Sequence, residues 1–273
     1  MKHSNDDLGN RMKDYERVTA GQQLIPLLPV MARLDGKCFS NFTQGLKRPY
    51  DLRMSDLMVF VTKKLVEEYN ALIGYTQSDE ITLVLYSDTT RSQIPYNGKI
   101  QKLVGDMAAY CSLIFNRALP DYIPEKAHQL PRFDCRVWNV PNRVEATNAV
   151  LWREKDATKN SVSMAARSYY SHKEIDGKVS SEIMDMMMAK GMNWNDYPPF
   201  FKRGTFIRRE KTSETFTAEE LEKLPEKHQA RTNPELVVDR SVIKRIEMPS
   251  FSRVTNRVEV IFKGEDPIVA SEE

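Results

Sequence analysis

The chain is poor in the side chains that bind soft metal ions or form disulfides. It has three cysteines and four histidines among 273 residues, with no C-x-x-C spacing and no i, i+4 histidine pair. Cys38, Cys111 and Cys135 are odd in number and far apart, so we expect reduced thiols rather than disulfides or a zinc site. Any metal ion bound by this chain would therefore have oxygen ligands.

Long apolar runs and targeting signals are also missing. No run approaches the ~18 apolar residues that would span a bilayer, and charged residues make up 29% of the chain. Residues 1–18 are polar and mixed in charge, unlike a signal or transit peptide. We therefore expect a soluble, cytoplasmic protein.

Three common catalytic and phosphate-binding signatures are absent: G-x-S-x-G, the P-loop G-x-x-x-x-G-K-[ST], and G-x-G-x-x-G. The net charge of +2 is too small to indicate nucleic-acid binding, although several basic doublets could contact phosphate. In a chain with 40 basic residues, most such doublets are solvated surface. Composition thus permits a nucleic-acid partner without requiring one.

The apolar periodicity of residues 24–140 predicts the order β-α-β-β-α-β. Strands are predicted at residues 24–34, 72–76, 81–86 and 133–140, and amphipathic helices at 51–69 and 100–119. Asp51 is placed to cap the first helix. This order is the ferredoxin-like split motif, an antiparallel sheet with both helices on one face, and it is also the architecture of polymerase palms.

The rest of the chain, residues 142–273, is predicted to form a helical lobe with C-terminal strands, packed on the palm of residues 1–141. The pattern of residues 142–200 is mainly helical, and a strand follows. A helical piece begins at Thr217, polar loops come after it, and a last strand covers 257–262. No Gly/Pro-rich linker separates the two regions. The predicted fold class is α+β.

Two acidic turns, Leu34-Asp35-Gly36 and Ser78-Asp79-Glu80, lie at the ends of predicted strands. The first and third strands of the split motif are antiparallel neighbours, so Asp35 and Asp79 are expected side by side. Two carboxylates and a backbone carbonyl suit Mg²⁺, and Gly36 lets the backbone approach an ion closely. Asp-Gly and Ser-Asp are also ordinary turn dipeptides. From spacing alone, a metal site and two structural turns both remain open.

Several ordered blocks resemble one known family. The blocks LGNRMKDYE, MARLDGKCFSNF, YTQSDEITLVLY, FDCRVWNVP, LWREKDATKN and FKRGTF together resemble the tRNA-His guanylyltransferases and their Thg1-like relatives, which are 3′-to-5′ RNA polymerases, over most of residues 8–208. The resemblance implies a palm that adds nucleotides to the 5′ end of tRNA, with two Mg²⁺ ions as cofactors and ATP, GTP or other nucleoside triphosphates as substrates. It also implies a homotetramer that embraces the tRNA.

The resemblance assigns roles to individual residues. It implies catalytic roles for Asp35, Asp79 and Glu80, and a metal site formed by Asp35, the carbonyl of Gly36 and Asp79. The nucleotide-binding residues that it implies are Gly36, Lys37, Phe39, Ser40, Arg48, Asp51 and Ser78. Contacts with phosphate or RNA are implied for Arg136, Asn160 and Lys202.

Two departures from the family pattern indicate which branch of the family this chain resembles. The family's His-Ile-Asn-Asn-Leu-Tyr-Asn block reads TKNSVSM at residues 158–164, and its Lys-Pro-Asn-Asp block reads RPYD at residues 48–51. These changes favour the Thg1-like branch, which adds nucleotides opposite a template and repairs 5′-truncated tRNAs, over the dedicated tRNA-His enzyme, which adds one guanosine. A nucleotidyl cyclase and a non-catalytic RNA-binding palm are the alternatives from other classes.

Overall fold

The predicted strand order is confirmed in the computed structural model, which describes residues 7–89, 94–233 and 235–270. The strands of these residues are β1 (Val30–Gly36), β2 (Ile73–Gln77), β3 (Glu80–Leu85), β4 (Phe133–Asn139), β5 (Thr205–Thr215) and β6 (Val237–Ile246). They form an antiparallel sheet in the order β4-β1-β3-β2-β5-β6. The first four strands of this order are the ferredoxin-like core, and β5 and β6 extend it beyond β2.

The helices of the described residues are α1 (Asp7–Ala20), α2 (Phe39–Phe42), α3 (Leu52–Glu68), α4 (Ile100–Tyr122), α5 (Arg143–Ala166), α6 (His172–Ile175), α7 (Ser180–Ala189), α8 (Pro199–Arg203), α9 (Ala218–Lys223), α10 (Gln229–Thr232) and α11 (Arg257–Phe262). As predicted, Asp51 caps α3, because its carboxylate accepts a 3.0 Å hydrogen bond from the Arg53 backbone N–H. No helix in this part of the chain is long and apolar enough to cross a membrane.

Both faces of the sheet are covered. Successive side chains of a strand point to opposite faces, so Leu34 and Ile81 pack under α3 and α4 while Met31 and Val84 pack on the other face. That second face is covered by α5 and α11. The face under α3 and α4 is continuously apolar, whereas the second face becomes polar toward the end of β1, with Arg33 on β1 and the exposed Asp134 and Arg136 on β4.

Two of the C-terminal predictions are wrong. Residues 257–262, predicted as a strand, form α11: the neighbouring side chains of Val260 and Ile261 are both buried against the second face, which a docked helix permits. Residues 237–246, interpreted as polar loop, form β6. Among the described strands, β6 pairs with β5, and none of its residues is fully buried. Its valines and isoleucines are interrupted by charged residues and do not alternate strictly, so no one-sided apolar pattern marks it as a strand.

The region after residue 142 is joined to the palm through the sheet and through α5. β5 pairs with β2, with Thr205 opposite Thr76 and Arg208 opposite Ile73. The far half of α5 packs with α7 and α8 in a separate apolar cluster that includes Val162, Met187 and Phe201. This cluster forms the helical lobe beside the carboxylate edge.

Candidate active site

The two acidic turns meet at one edge of the sheet. Asp35, near the end of β1, lies opposite Glu80, the first residue of β3. The Gly36 backbone N–H donates a 3.1 Å hydrogen bond to the carbonyl oxygen of Asp79. The predicted adjacency of Asp35 and Asp79 is therefore confirmed, and β4 places the exposed Asp134 opposite Asp35 on its other side.

The carboxylates at this edge repel one another. Burial raises the pKa of Asp79 to about 6, and the nearby charges of Asp35 and Glu80 contribute to that rise, against a hydrogen bond from the Ser78 hydroxyl that lowers it. That hydroxyl lies 3.1 Å from Asp79 Oδ1. A partly buried carboxylate next to other carboxylates attracts a cation, because positive charge offsets the repulsion.

The donor set fits Mg²⁺. Within the described ranges, no group of three or more His, Cys, Asp or Glu side chains is arranged to hold a metal ion. The edge offers two carboxylates, Asp35 and Asp79, and the Gly36 carbonyl, so water and phosphate would complete an octahedral shell, as Mg²⁺ prefers. A side chain at Gly36 is excluded, since its Cβ would lie 2.3 Å from Cδ2 of Phe39.

Glu80 is engaged by an arginine that the sequence did not single out. Its Oε1 accepts from Arg153 Nε and its Oε2 from Arg153 Nη2, both at 2.6 Å. The guanidinium also donates to Asp156 at 3.1 Å and lies 4.5 Å from the ring centroid of Trp152. Arg153 stands in the LWREKDATKN block, but the pairing joins positions 73 residues apart and depends on how α5 docks.

A cavity of about 330 Å³ lies between the palm and the helical lobe, within the size range of small-molecule sites. Four of the predicted nucleotide-binding residues line it, namely Ser40, Arg48, Asp51 and Ser78. The lobe contributes Met164, Arg167, Phe200 and Phe201. Because Ser78 precedes Asp79 in the chain, the cavity adjoins the carboxylate edge.

The side chains of Asp51 and Phe39 are used inside the protein. The Asp51 carboxylate accepts hydrogen bonds from the Arg53 side chain at 2.8 and 3.0 Å and from the Lys47 backbone at 3.3 Å, so it anchors the loop that lines the cavity. Phe39 is only 3% exposed, and its ring packs against Phe42, Phe115 and Phe133. A nucleotide contact at Phe39 would use the backbone.

Four other residues predicted to contact the nucleotide or the RNA are exposed. Lys37 and Arg48 have exposed side chains. Arg136 is exposed on β4, 3.7 Å from Asp134, and Asn160 is exposed on α5, where its amide donates to Asp156 at 3.2 Å.

The expectation that Lys202 faces phosphate or RNA is wrong for this structure. The residue is 9% exposed, its ammonium donates a 2.5 Å hydrogen bond to the Asn195 carbonyl, and it lies 5.3 Å from the ring centroid of Trp194. Burial lowers its pKa. Lys202 therefore connects α8 to the segment before it, a role that depends on packing and gives no local sequence signal.

Known proteins of one family are similar to this chain. The family described as tRNAHis guanylyltransferase (Thg1) matches residues 9–141. The chain is 30% identical to the uncharacterized protein R259 of Acanthamoeba polyphaga mimivirus, covering 76% of this chain and 78% of that protein. It is 27% identical to the tRNA(His) guanylyltransferase of Schizosaccharomyces pombe, covering 73% and 79% of the two chains.

Among solved structures, a bacterial tRNA(His) guanylyltransferase (Thg1)-like protein in complex with ATP superposes with a TM-score of 0.69 at 32% identity, covering 74% of this chain and 87% of the other. A complex of such a bacterial protein with GTP gives 0.63 at 30% identity, covering 74% and 86%. The chain thus belongs to the tRNA(His) guanylyltransferase (Thg1) family of nucleotidyltransferases.

Proposed function

We propose that this protein adds nucleotides in the 3′-to-5′ direction to the 5′ end of a tRNA, opposite a template, and so repairs 5′-truncated tRNAs. The observation that carries the proposal is a cavity of about 330 Å³ whose wall includes Ser78, the residue before Asp79, at the edge where Asp35 and Asp79 meet. Support also comes from the relatives, which are named for tRNA and solved in complex with ATP or GTP.

In this proposal the incoming nucleoside triphosphate occupies the cavity between the palm and the lobe. Its base and sugar contact the apolar wall of Met164, Phe200 and Phe201, and its phosphates extend past Ser78 toward Asp79. Lys37 and Arg48 supply positive charge to the phosphates, since both side chains are exposed. Arg136 and Asn160 are proposed to contact the RNA from the surfaces of β4 and α5.

Two Mg²⁺ ions held by Asp35, the Gly36 carbonyl and Asp79 would neutralise triphosphate charge and favour ionisation of the attacking 3′-hydroxyl. The chain's own contribution is mainly positioning, because phosphoryl transfer requires little covalent chemistry from the protein. The RNA 5′ end, activated as an adenylylate or a triphosphate, is attacked by the 3′-hydroxyl of the bound nucleotide. A new phosphodiester bond forms, and AMP or pyrophosphate leaves.

Addition of a single guanosine to tRNA-His is the second candidate, because the curated relatives include enzymes named for that reaction. The templated reaction is favoured by the stretch 158–164. Ser161 and Val162 are buried there, and Ser161 accepts a 3.1 Å hydrogen bond from the Trp194 indole. Lys159 and Asn160 are the exposed positions of this stretch, so it presents little of the family's His-Asn-Asn surface.

We further propose that residues 1–141 are the catalytic palm, that residues 142–273 form the lobe contacting the nucleotide and RNA, and that the protein is a cytoplasmic homotetramer. Size-exclusion chromatography with light scattering tests the oligomeric state. A mass other than four protomers would contradict that part.

A primer-extension gel tests the reaction. A tRNA lacking its first nucleotides, the full-length tRNA, and tRNA-His lacking its extra guanosine are incubated with Mg²⁺, ATP and labelled nucleotides. We expect the shortened tRNA to be restored with nucleotides complementary to the opposite strand, and the added nucleotide to change when the opposite base changes. Guanosine added to tRNA-His alone would identify the second candidate. A cyclic nucleotide product, or no lengthened RNA, would contradict both candidates.

A further inference from the structure

A continuous set of side-chain hydrogen bonds connects the carboxylate edge to α5. Glu80 accepts two 2.6 Å bonds from Arg153, Arg153 donates to Asp156 at 3.1 Å, and Asn160 donates to Asp156 at 3.2 Å. The side chains of Arg153 and Glu80 are only 13% and 16% exposed. This pair is therefore shielded from water, where a bidentate arginine contact is strong.

Arg153 is held in one orientation. Trp152 supports the guanidinium on one side at 4.5 Å, and Asp156 accepts from Nη2, the nitrogen that also bonds Glu80. Because its plane is fixed by these contacts, the guanidinium presents its Nε and Nη2 N–H groups to the two oxygens of the single Glu80 carboxylate. Lysine, with one ammonium nitrogen, cannot reproduce this arrangement.

The ion pair between Arg153 and Glu80 determines which carboxylates of this edge are available to a cation. Asp35 and Glu80 are cross-strand neighbours, and Asp79 adjoins Glu80 in the chain. Without Arg153, all three would be negatively charged at one edge, and Glu80 would compete as a ligand. With Arg153, each oxygen of Glu80 accepts a hydrogen bond, and the guanidinium, which is shared with Asp156, offsets the negative charge of Glu80.

We propose that Arg153 is a positioning residue that keeps Glu80 out of the metal-binding pair, so that Asp35 and Asp79 bind the ions with the geometry required for nucleotide transfer. Glu80 then acts with Arg153 to link β3 to α5 and has no ligand role. The proposal rests on the proposed function, because it takes Asp35 and Asp79 as the metal-binding residues.

The experiment is a double-mutant cycle on the full chain with Arg153→Met, Glu80→Gln and the double variant. Arg153→Lys is added as a conservative change, and Lys155→Met is the control on an exposed position of α5. Turnover and the Mg²⁺ concentration at half-maximal rate are measured for each variant, with the melting temperature. This pair of readouts separates metal binding from catalysis, and a merely structural role would not move the Mg²⁺ dependence.

We expect Arg153→Met to lower turnover at least tenfold while lowering the half-maximal Mg²⁺ concentration about threefold, because the freed Glu80 carboxylate adds negative charge. The double variant should turn over no more slowly than Arg153→Met and should regain the wild-type Mg²⁺ dependence, since the amide that replaces the Glu80 carboxylate carries no charge. Arg153→Lys should be intermediate in turnover, and Lys155→Met should match the wild type.

Independent, additive effects of the two substitutions would overturn the proposal, as would an unchanged Mg²⁺ dependence in Arg153→Met. If Arg153→Met does not fold, the cycle is completed with Arg153→Lys, and the same criteria apply. Calorimetric titration of Mg²⁺-ATP into each variant tests the inference even if the wild-type protein lengthens no tRNA. In that case a shift in Mg²⁺-dependent ATP binding that Glu80→Gln reverses supports Arg153, and the absence of a shift overturns its role.

Discussion

Asp79 is a residue whose charge is costly to the fold. Its pKa is raised to about 6 by burial, so the ionised form present at neutral pH destabilises the folded protein, and this cost declines as the pH falls through 6 toward the ordinary value of 3.8. We expect Asp79→Asn to raise the melting temperature by a few degrees and to lower turnover at least 100-fold. Thermal unfolding and the primer-extension assay measure the two effects.

Asp134→Asn is the matched control, because Asp134 is an exposed carboxylate on the same sheet edge. It should change neither quantity appreciably. A fall in melting temperature with most activity retained in Asp79→Asn would instead favour the structural-turn interpretation of the Ser78-Asp79 segment.

Among individual residues, the sequence predicts those contacts that depend only on the order of the strands. The adjacency of Asp35 and Asp79 follows from the antiparallel pairing of β1 with β3, whichever helices cover the sheet. Arg153 and the buried Lys202 were missed or misassigned because their partners depend on the docking of α5 and α8, which no local pattern encodes.

At the scale of elements, α3 and the loop before it are joined through Asp51. Asp51→Ala removes the cap of α3 together with the bonds to Arg53 and to the Lys47 backbone. We expect a loss of about 1–2 kcal/mol in unfolding free energy and a several-fold higher KM for the nucleotide, since the released loop lines the cavity. Denaturant unfolding and steady-state kinetics measure both.

The exposed Asp56 on the same helix provides the comparison. Asp56→Ala should leave stability and KM close to those of the wild type. An Asp51→Ala protein that loses stability but binds the nucleotide normally would show that Asp51 caps α3 without positioning the loop for the nucleotide, contrary to this prediction.

Helix α5 and the C-terminal segment are joined by Glu154, which is 2% exposed and accepts a 2.8 Å hydrogen bond from the Phe251 backbone N–H. Burial raises the pKa of this carboxyl, against that hydrogen bond. Glu154→Ala should cost about 1–3 kcal/mol, because it leaves a buried donor unpaired. Glu154→Gln, which keeps an acceptor and removes the charge, should cost less. Equal losses in denaturant melts would contradict this explanation.

Elements were predicted well where one face is apolar and the other polar. The helices at 51–69 and 100–119 were identified because they cover one face of the palm. The RVEVIF segment was misread as a strand, since its β-branched residues are helical only through packing on α5. The exposed strand β6 lacks a buried stripe that a pattern could reveal.

At the scale of the whole molecule, the palm is not self-contained. β5 covers the outer edge of β2, and α5 and α11 cover a sheet face that includes Met31, Tyr75 and Val84. A fragment of residues 1–141 would expose that face and that edge to water. We expect the full chain to unfold in one cooperative calorimetric transition, and the fragment to aggregate or to lack near-ultraviolet circular dichroism. A soluble fragment with a sharp transition of its own would contradict this.

During synthesis, β2 must wait for its partner β5, which is translated much later. The two strands are separated by roughly 130 residues, so at about 5–20 residues per second the edge of β2 stays open on the ribosome for on the order of ten seconds. During that interval the nascent palm offers an unpaired strand to neighbouring chains. In cell-free translation, the soluble yield should therefore fall as the concentration of nascent chains rises, and a chaperone that shields strand edges should restore it.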